Sequence, residues 1–136
     1  MQTSKEQIVE FLKTEFPQTK CTVEQVGGRA SVLRYKIGFD QLRFGGTVAG
    51  PVLMELADVG LYVAILGEIG LVGHAVTTNL SINFLRKPSA DKDVIGHSKL
   101  LKLGKRLAVG EVLLYSEGDD EPIAHAIITY SLPPSK

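Results

Sequence analysis

The chain has 136 residues, 44% of them hydrophobic, with 15 basic side chains against 15 acidic ones, a formal net charge of zero and one cysteine. This length suits one domain, 1–136, with a single sizeable core, and the hydrophobic content excludes a disordered chain. The balanced charge argues against a protein that coats nucleic acid, and the lone cysteine excludes an intrachain disulfide. The three histidines, without paired cysteines, give no metal-binding pattern. The first residues lack the apolar core of a signal peptide. The reading is a soluble, cytoplasmic protein without metal or cofactor.

Residues 3–16 carry helical spacing, with Ile8, Phe11, Leu12 and Phe16 on one stripe, Thr3 or Ser4 as cap and Pro17 as stop. This predicts a surface helix that covers part of the core. Residues 21–26 and 30–39 read as two strands joined by a turn at Gly27-Gly28, and 40–50 as a glycine-rich loop. Segment 51–69 is apolar or small on every side apart from Glu55, Asp58 and Glu68, with Pro51 suited to the first turn of a helix and Gly70 to its end. Its charges and short apolar runs do not suit a membrane span, so it reads as a helix enclosed by protein. Residues 72–86, 93–103, 107–117 and 122–132 alternate as strands, with turns at Pro88–Asp91, Gly104-Lys105 and Gly118–Asp120.

Strands in direct succession form an antiparallel meander. A wholly apolar helix and six strands share one core most simply when the sheet curls around the helix. The expected class is therefore α+β: a hotdog fold, with a curled antiparallel sheet of about six strands around one long apolar helix, and an extra N-terminal helix. The sheet leaves edges open and covers the helix incompletely, so at least a dimer is expected.

Asp58 is the first chemical candidate. A carboxylate within an apolar helix is costly to bury without partners, which suits a general base or nucleophile, and equally a carboxylate that is hydrogen-bonded or solvated. Gly50, just before the helix, exposes an N–H at the positive end of the helix dipole, where it can stabilise an oxyanion or simply start the helix. It lies roughly 12 Å from Asp58 along the axis, so the two flank one substrate only if a second subunit supplies one of them. Glu55 neighbours Asp58 on the helix surface. Alternation along 76–86 puts Thr77, Asn79, Ser81 and Asn83 on one face and Thr78, Leu80, Ile82 and Phe84 on the other. Arg86-Lys87, Lys99, Lys102, Lys105 and Arg106 are candidates for phosphate contact or ordinary surface. Met54, Val59, Leu61 and Tyr62 are candidates to shape a pocket. His74, His97 and His125 fall on separate strands, and Cys21 reads as a small core residue.

Three stretches, Gly-Gly-Thr-Val-Ala-Gly-Pro-Val-Leu-Met-Glu-Leu-Ala-Asp (45–58), Thr-Thr-Asn-Leu-Ser-Ile-Asn-Phe-Leu-Arg (77–86) and Leu-Gly-Lys-Arg-Leu-Ala (103–108), resemble the hotdog acyl-CoA thioesterases of the PaaI type, related to 4-hydroxybenzoyl-CoA thioesterase. The resemblance covers about residues 30–132. It implies a helix-borne catalytic carboxylate at Asp58, an oxyanion N–H at Gly50, and a hydroxyl that positions water at Thr77 on the strand of the neighbouring subunit. The family's His-Gly-Gly becomes Ala49-Gly50-Pro51 here, and its loop amide becomes Arg43. Arg43 is placed to attract an acyl carboxylate or to pair with Asp58 or Glu55.

The resemblance implies hydrolysis of an acyl-CoA thioester to free acid and CoA, with no cofactor. Tyr62, Asn79 and Asn83 would contact substrate, together with Arg43, Ala49, Pro51 and Glu55. Arg86, Lys105 and Arg106 would hold the CoA phosphates. The expected assembly is a homo-oligomer, a dimer at least and a dimer of dimers by the family pattern, with no nucleic acid or membrane partner. The alternatives are a hotdog 3-hydroxyacyl-thioester dehydratase using Glu55, which would need a histidine that residues 40–50 lack, and a non-catalytic acyl-CoA-binding module.

Overall fold

A computed structural model describes residues 3–134. Helix α1 spans Lys5–Glu15. Ser4 caps it, its hydroxyl accepting from Gln7 N–H while the Gln7 side chain accepts from Ser4 N–H. Ile8 and Leu12 anchor its apolar stripe in the core. Strands β1 (Cys21–Gly27) and β2 (Ala30–Tyr35) form a hairpin. Its two turn residues are Gly28 and Arg29, one position later than the sequence suggested, and both have positive φ, 63° and 65°. That geometry matches the right-handed strand twist. Glu68 accepts from Arg29 N–H at 3.1 Å and ties the turn to the central helix.

The glycine-rich stretch is not all loop. A 3-10 turn (Phe39–Gln41) leads into a minimal hairpin of β3 (Leu42–Arg43) and β4 (Thr47–Val48), which turns through Gly45 and Gly46 at positive φ. Two-residue strands are too short to show alternation, which is why the pattern missed them.

Helix α2 runs Gly50–Ile69, one residue earlier at its start than expected. Strands β5 (Val76–Phe84), β6 (Val94–Leu103), β7 (Leu107–Ser116) and β8 (Ala124–Ser131) follow. The six long strands form one antiparallel sheet in the order β1-β2-β6-β7-β8-β5. This is the predicted curled sheet around a central helix.

The inward rows of β6, β7 and β8 press on α2, and glycine sets the approach. A Cβ on Gly110 would come within 2.2 Å of Leu61 Cδ1 and 2.8 Å of Lys99 O. Ser31 and Ser98 both donate to Gly60 O, at 2.7 and 2.9 Å, and fix the helix against β2 and β6. From Val59 to Gly67 every residue of α2 is buried, and truncating one of its leucines to alanine would cost about 2–5 kcal/mol. Strand β5 is different. It is an edge strand, and most of its residues are exposed.

Candidate active site

Asp58 lies midway along α2, and Tyr62, one turn on, shares its side. From the sheet, Tyr130 on β8 reaches it. Its hydroxyl donates to Asp58 Oδ1 at 2.9 Å and lies 3.0 Å from Asp58 O. Thr77 donates to the same oxygen at 2.7 Å. The Oδ2 atom accepts no hydrogen bond among the described residues. Asp58 lines a cavity of about 360 Å³ with Thr77, Tyr130, Tyr62, Phe11 and Glu15. Burial first, and then the charge of Asp58, push the Tyr130 phenol well above its ordinary value, so it remains a donor throughout the working pH range.

Thr77 reaches Asp58 because of a β-bulge. In the β5–β8 ladder Thr77 opposes Tyr130 and Asn79 opposes Thr129, leaving Thr78 as the extra residue. A bulge shifts the alternation by one. Thr77 therefore joins the inward row of Leu80, Ile82 and Phe84, which oppose buried Ile128, Ala126 and Ala124. The uninterrupted alternation read from sequence grouped it with Asn79, Ser81 and Asn83. Those three oppose Thr129, Ile127 and His125 on the outer face, away from Asp58. The expected position of Thr77 on the neighbouring subunit is likewise corrected, since its hydroxyl serves the Asp58 of its own chain.

Gly50 opens a second cavity, of about 440 Å³, which it lines with Arg43, Leu53, Phe84, Arg86 and Lys87. Ala49 takes the N-cap position without a side-chain cap, and Pro51 fills the first turn. Gly50 N–H donates to nothing among the described residues, as expected for the first turn of a helix. A Cβ at Gly50 would sit 3.5 Å from the Phe84 ring, an ordinary contact distance, so packing alone does not require glycine here.

The remaining candidates fall elsewhere. Arg43 forms no ion pair with Asp58 or Glu55 among the described residues. Glu55 turns toward the β1–β2 side, where Tyr35 donates to one oxygen at 3.3 Å and Thr19 to the other at 3.4 Å. Burial foremost, and then Glu55, raise the Tyr35 phenol to about 12, and burial raises the Cys21 thiol to about 12, which leaves it unreactive. Arg86 donates to Pro122 O and pairs with Glu121 at 3.4 Å. Lys105 lines a different cavity with His74 and Ile69, at the far end of α2, so it does not converge with Arg86 within one protomer. Arg106 lends its backbone carbonyl to Leu132 N–H. Val59 and Leu61 are core residues, and Met54 is 40% exposed, so of the pocket candidates on the helix only Tyr62 lines the Asp58 cavity. Tyr130 and the α1 residues escaped the sequence reading. The signal for Tyr130 was a ring with a polar tip at the end of an otherwise apolar inward row. No group of three or more potential metal-ligating side chains comes together among the described residues.

The family model of the thioesterase superfamily matches residues 45–123, from the hairpin before α2 to the start of β8. The chain belongs to the thioesterase superfamily. That membership carries the general chemistry of thioester hydrolysis. A protein from Silicibacter sp. TM1040, named provisionally as a thioesterase, is 41% identical over 96% of this chain and 92% of its own, with a TM-score of 0.89. Zebra fish thioesterase superfamily member 2 is 21% identical over 96% of this chain and 99% of its own, at a TM-score of 0.84. The E. coli PaaI protein from the phenylacetic acid degradation operon is 18% identical over 91% of this chain and 88% of its own, at a TM-score of 0.75. The last two show a shared fold. No curated relative matches the chain. No helix of the described residues is long and apolar enough to cross a membrane.

Proposed function

We propose that this thioesterase hydrolyses an acyl-CoA thioester to the free acid and CoA, at a site completed by a second copy of the chain. The observation that carries this reading is the Asp58 carboxylate, with one oxygen fixed by two hydroxyl donors and the other unbound, beside an open cavity. An ionised carboxylate so oriented can take a proton from water, or attack the thioester carbon itself.

Strand β5 supports the role of the second copy. Its Thr77 end lines the Asp58 cavity, and its Phe84 end lines the Gly50 cavity. Among the described residues no strand pairs with its outer edge. Antiparallel pairing of β5 with the same strand of a partner sets the Thr77 end of one beside the Phe84 end of the other. Asp58 of one protomer then faces the partner's Gly50, overcoming their separation within a chain.

In that arrangement the partner's Gly50 N–H donates to the developing oxyanion. Asp58 takes a proton from the attacking water and passes it to the CoA thiolate as the C–S bond breaks; alternatively its carboxylate displaces the thiolate, which is protonated by solvent, and water then opens the mixed anhydride to the free acid and the Asp58 carboxylate. Arg43, Arg86 and Lys87 give the Gly50 cavity a cationic rim suited to CoA phosphates. Alanine at position 49 means that the carbonyl receives no side-chain donor there. The dehydratase alternative is disfavoured because both oxygens of Glu55 are engaged and Glu55 lines neither cavity.

The test is a panel of short, medium and aromatic acyl-CoA esters with detection of free thiol, on the parent protein and on Asp58→Asn. The expected result is turnover of at least one ester and a loss of about 10³-fold in kcat/KM in the variant, at unchanged melting temperature. Full activity of the variant on every ester the parent cleaves would overturn the reading. Tight ester binding without turnover, equal in both proteins, would identify a binding module instead.

A further inference from the structure

The cavity beside Asp58 has a wall that does not come from the sheet or the central helix. Phe11 and Glu15, one turn apart on α1, face it together, and Phe16 and Gln18 continue the wall beyond the helix end. The helix that carries them is firmly seated. Its start is tied by Thr3 N–H to Gly67 O at 3.1 Å, Ile8 and Leu12 are buried, and Phe16 N–H closes its last turn on Leu12 O at 2.8 Å. Tyr62 and Tyr130 form the opposite wall, their rings stacked with centroids 5.9 Å apart and an interplanar angle of 12°. The cavity therefore presents four aromatic rings, Phe11, Phe16, Tyr62 and Tyr130, with carboxylates at two places, Asp58 and Glu15.

Asp58 is spent on the reaction, and its hydroxyl donors hold it. Glu15 has no such engagement. It forms no ion pair and no side-chain hydrogen bond among the described residues, and it is exposed on the cavity side. Its charge reaches the opposite wall: burial raises the Tyr62 phenol first, and Glu15 adds to that. Within one protomer a substrate tail in this cavity meets a negative charge with no ion-pair partner among the described residues.

We infer that Glu15 is a specificity-determining residue which makes the Asp58 cavity refuse acyl groups ending in a carboxylate and admit neutral ones. The inference rests on the acyl-CoA reading above and adds which acyl groups that site accepts. A terminal carboxylate brought against Glu15 meets like-charge repulsion, which solvent and salt screen in this open cavity but do not remove at contact range. The same acyl chain ending in a neutral group of equal shape meets only the aromatic wall.

The test uses a pair of substrates matched in shape, glutaryl-CoA and 5-methylhexanoyl-CoA, in which an isopropyl group replaces the terminal carboxylate. The readout is the ratio of their kcat/KM values in the parent, in Glu15→Gln and in Glu15→Lys. The glutamine variant is expected to shift the ratio toward glutaryl-CoA by about tenfold and the lysine variant by more, with 5-methylhexanoyl-CoA changed less than about twofold. Raising the ionic strength is expected to shift the parent ratio in the same direction. A ratio unchanged in both variants overturns the inference while leaving the acyl-CoA reading intact. Should the parent cleave neither of this pair, the ratio of dissociation constants for the two non-hydrolysable thioether analogues, in the parent and both variants, decides the role of Glu15 on the same criterion; should it cleave no ester of the wider panel, the acyl-CoA reading fails. Binding of neither analogue by the parent or the variants overturns both.

Discussion

Asp58 and Glu55 stand three residues apart on one apolar helix, and each is met by one threonine and one tyrosine. The arrangements differ in what they leave free. Thr77 and Tyr130 both address Asp58 Oδ1, at 2.7 and 2.9 Å, and Oδ2 stays unbound beside a cavity. Thr19 and Tyr35 divide between the two oxygens of Glu55, at 3.4 and 3.3 Å, and Glu55 lines neither the Asp58 cavity nor the Gly50 cavity. Satisfying a half-buried carboxylate and preparing one for reaction therefore need the same partners in different geometry. Reaction needs them gathered on one oxygen, so that the group is oriented and still has lone pairs to use.

The contrast breaks most severely when the pair on Asp58 is removed. The double variant Thr77→Val/Tyr130→Phe is expected to lose about 10–100-fold in kcat with a smaller change in KM, because hydrogen bonds to a charged group contribute about 1.5–3 kcal/mol. Steady-state kinetics on the best ester of the panel measures this. A loss confined to KM would mean that the hydroxyls bind substrate and do not orient the carboxylate.

Glu55→Gln sharpens the contrast from the other side. It keeps the shape and both neighbours, so kcat/KM is expected to change by less than about threefold, with a small shift in melting temperature. A loss comparable to that of Asp58→Asn would restore Glu55 as a catalytic candidate.

The smallest effect concerns a carboxylate pair remote from both. On the outer face of the sheet, Arg34 donates to Asp93 and Glu117, each at 2.8 Å. Partial burial pushes the Asp93 carboxyl up, but hydrogen bonds from Arg34 and Ile37 N–H outweigh this and hold it below its ordinary 3.8. Arg34 holds Glu117 below its ordinary 4.5. Carboxyls lowered in the folded state add stability that is complete above those ordinary values and lost as pH falls through the folded ones. Arg34→Met is therefore expected to flatten the fall in melting temperature below about pH 4.5 and to leave activity at neutral pH unchanged. An acid profile identical to the parent's would show that this cluster contributes nothing.

The elements with long, regular patterns were legible in the sequence. The apolar segment 51–69 and the alternating runs after it correspond to α2 and to β5–β8, because burial on every side and on one side leave different periodicities. Asp58 was legible because charge is conspicuous among residues such as Leu56, Ala57 and Val59. The direction of Thr77 was not, because period two has no place for an extra residue. Tyr130, Phe11 and Glu15 were invisible as site residues because β8 and α1 lie at opposite ends of the chain and meet at Asp58 only in three dimensions. Arg86 and Lys105 looked alike as cations near strand ends, yet the length of α2 separates the cavities they line.

The extra residue at position 78 gives the chain a dependence on counting as well as on chemistry. Removing Thr78 alone would preserve the side chains of Asp58, Thr77 and Tyr130 in the gene. If the downstream ladder kept its pairing, the strand would then alternate strictly, and Thr77, now next to Asn79, would still oppose Tyr130 on the inner face, with Val76 still across from Ser131. Closing the bulge with Thr78 retained does the reverse: Thr78 then takes the place opposite Tyr130, Thr77 moves to the outer face across from Ser131, and the machinery is disarmed with every reactive group still encoded.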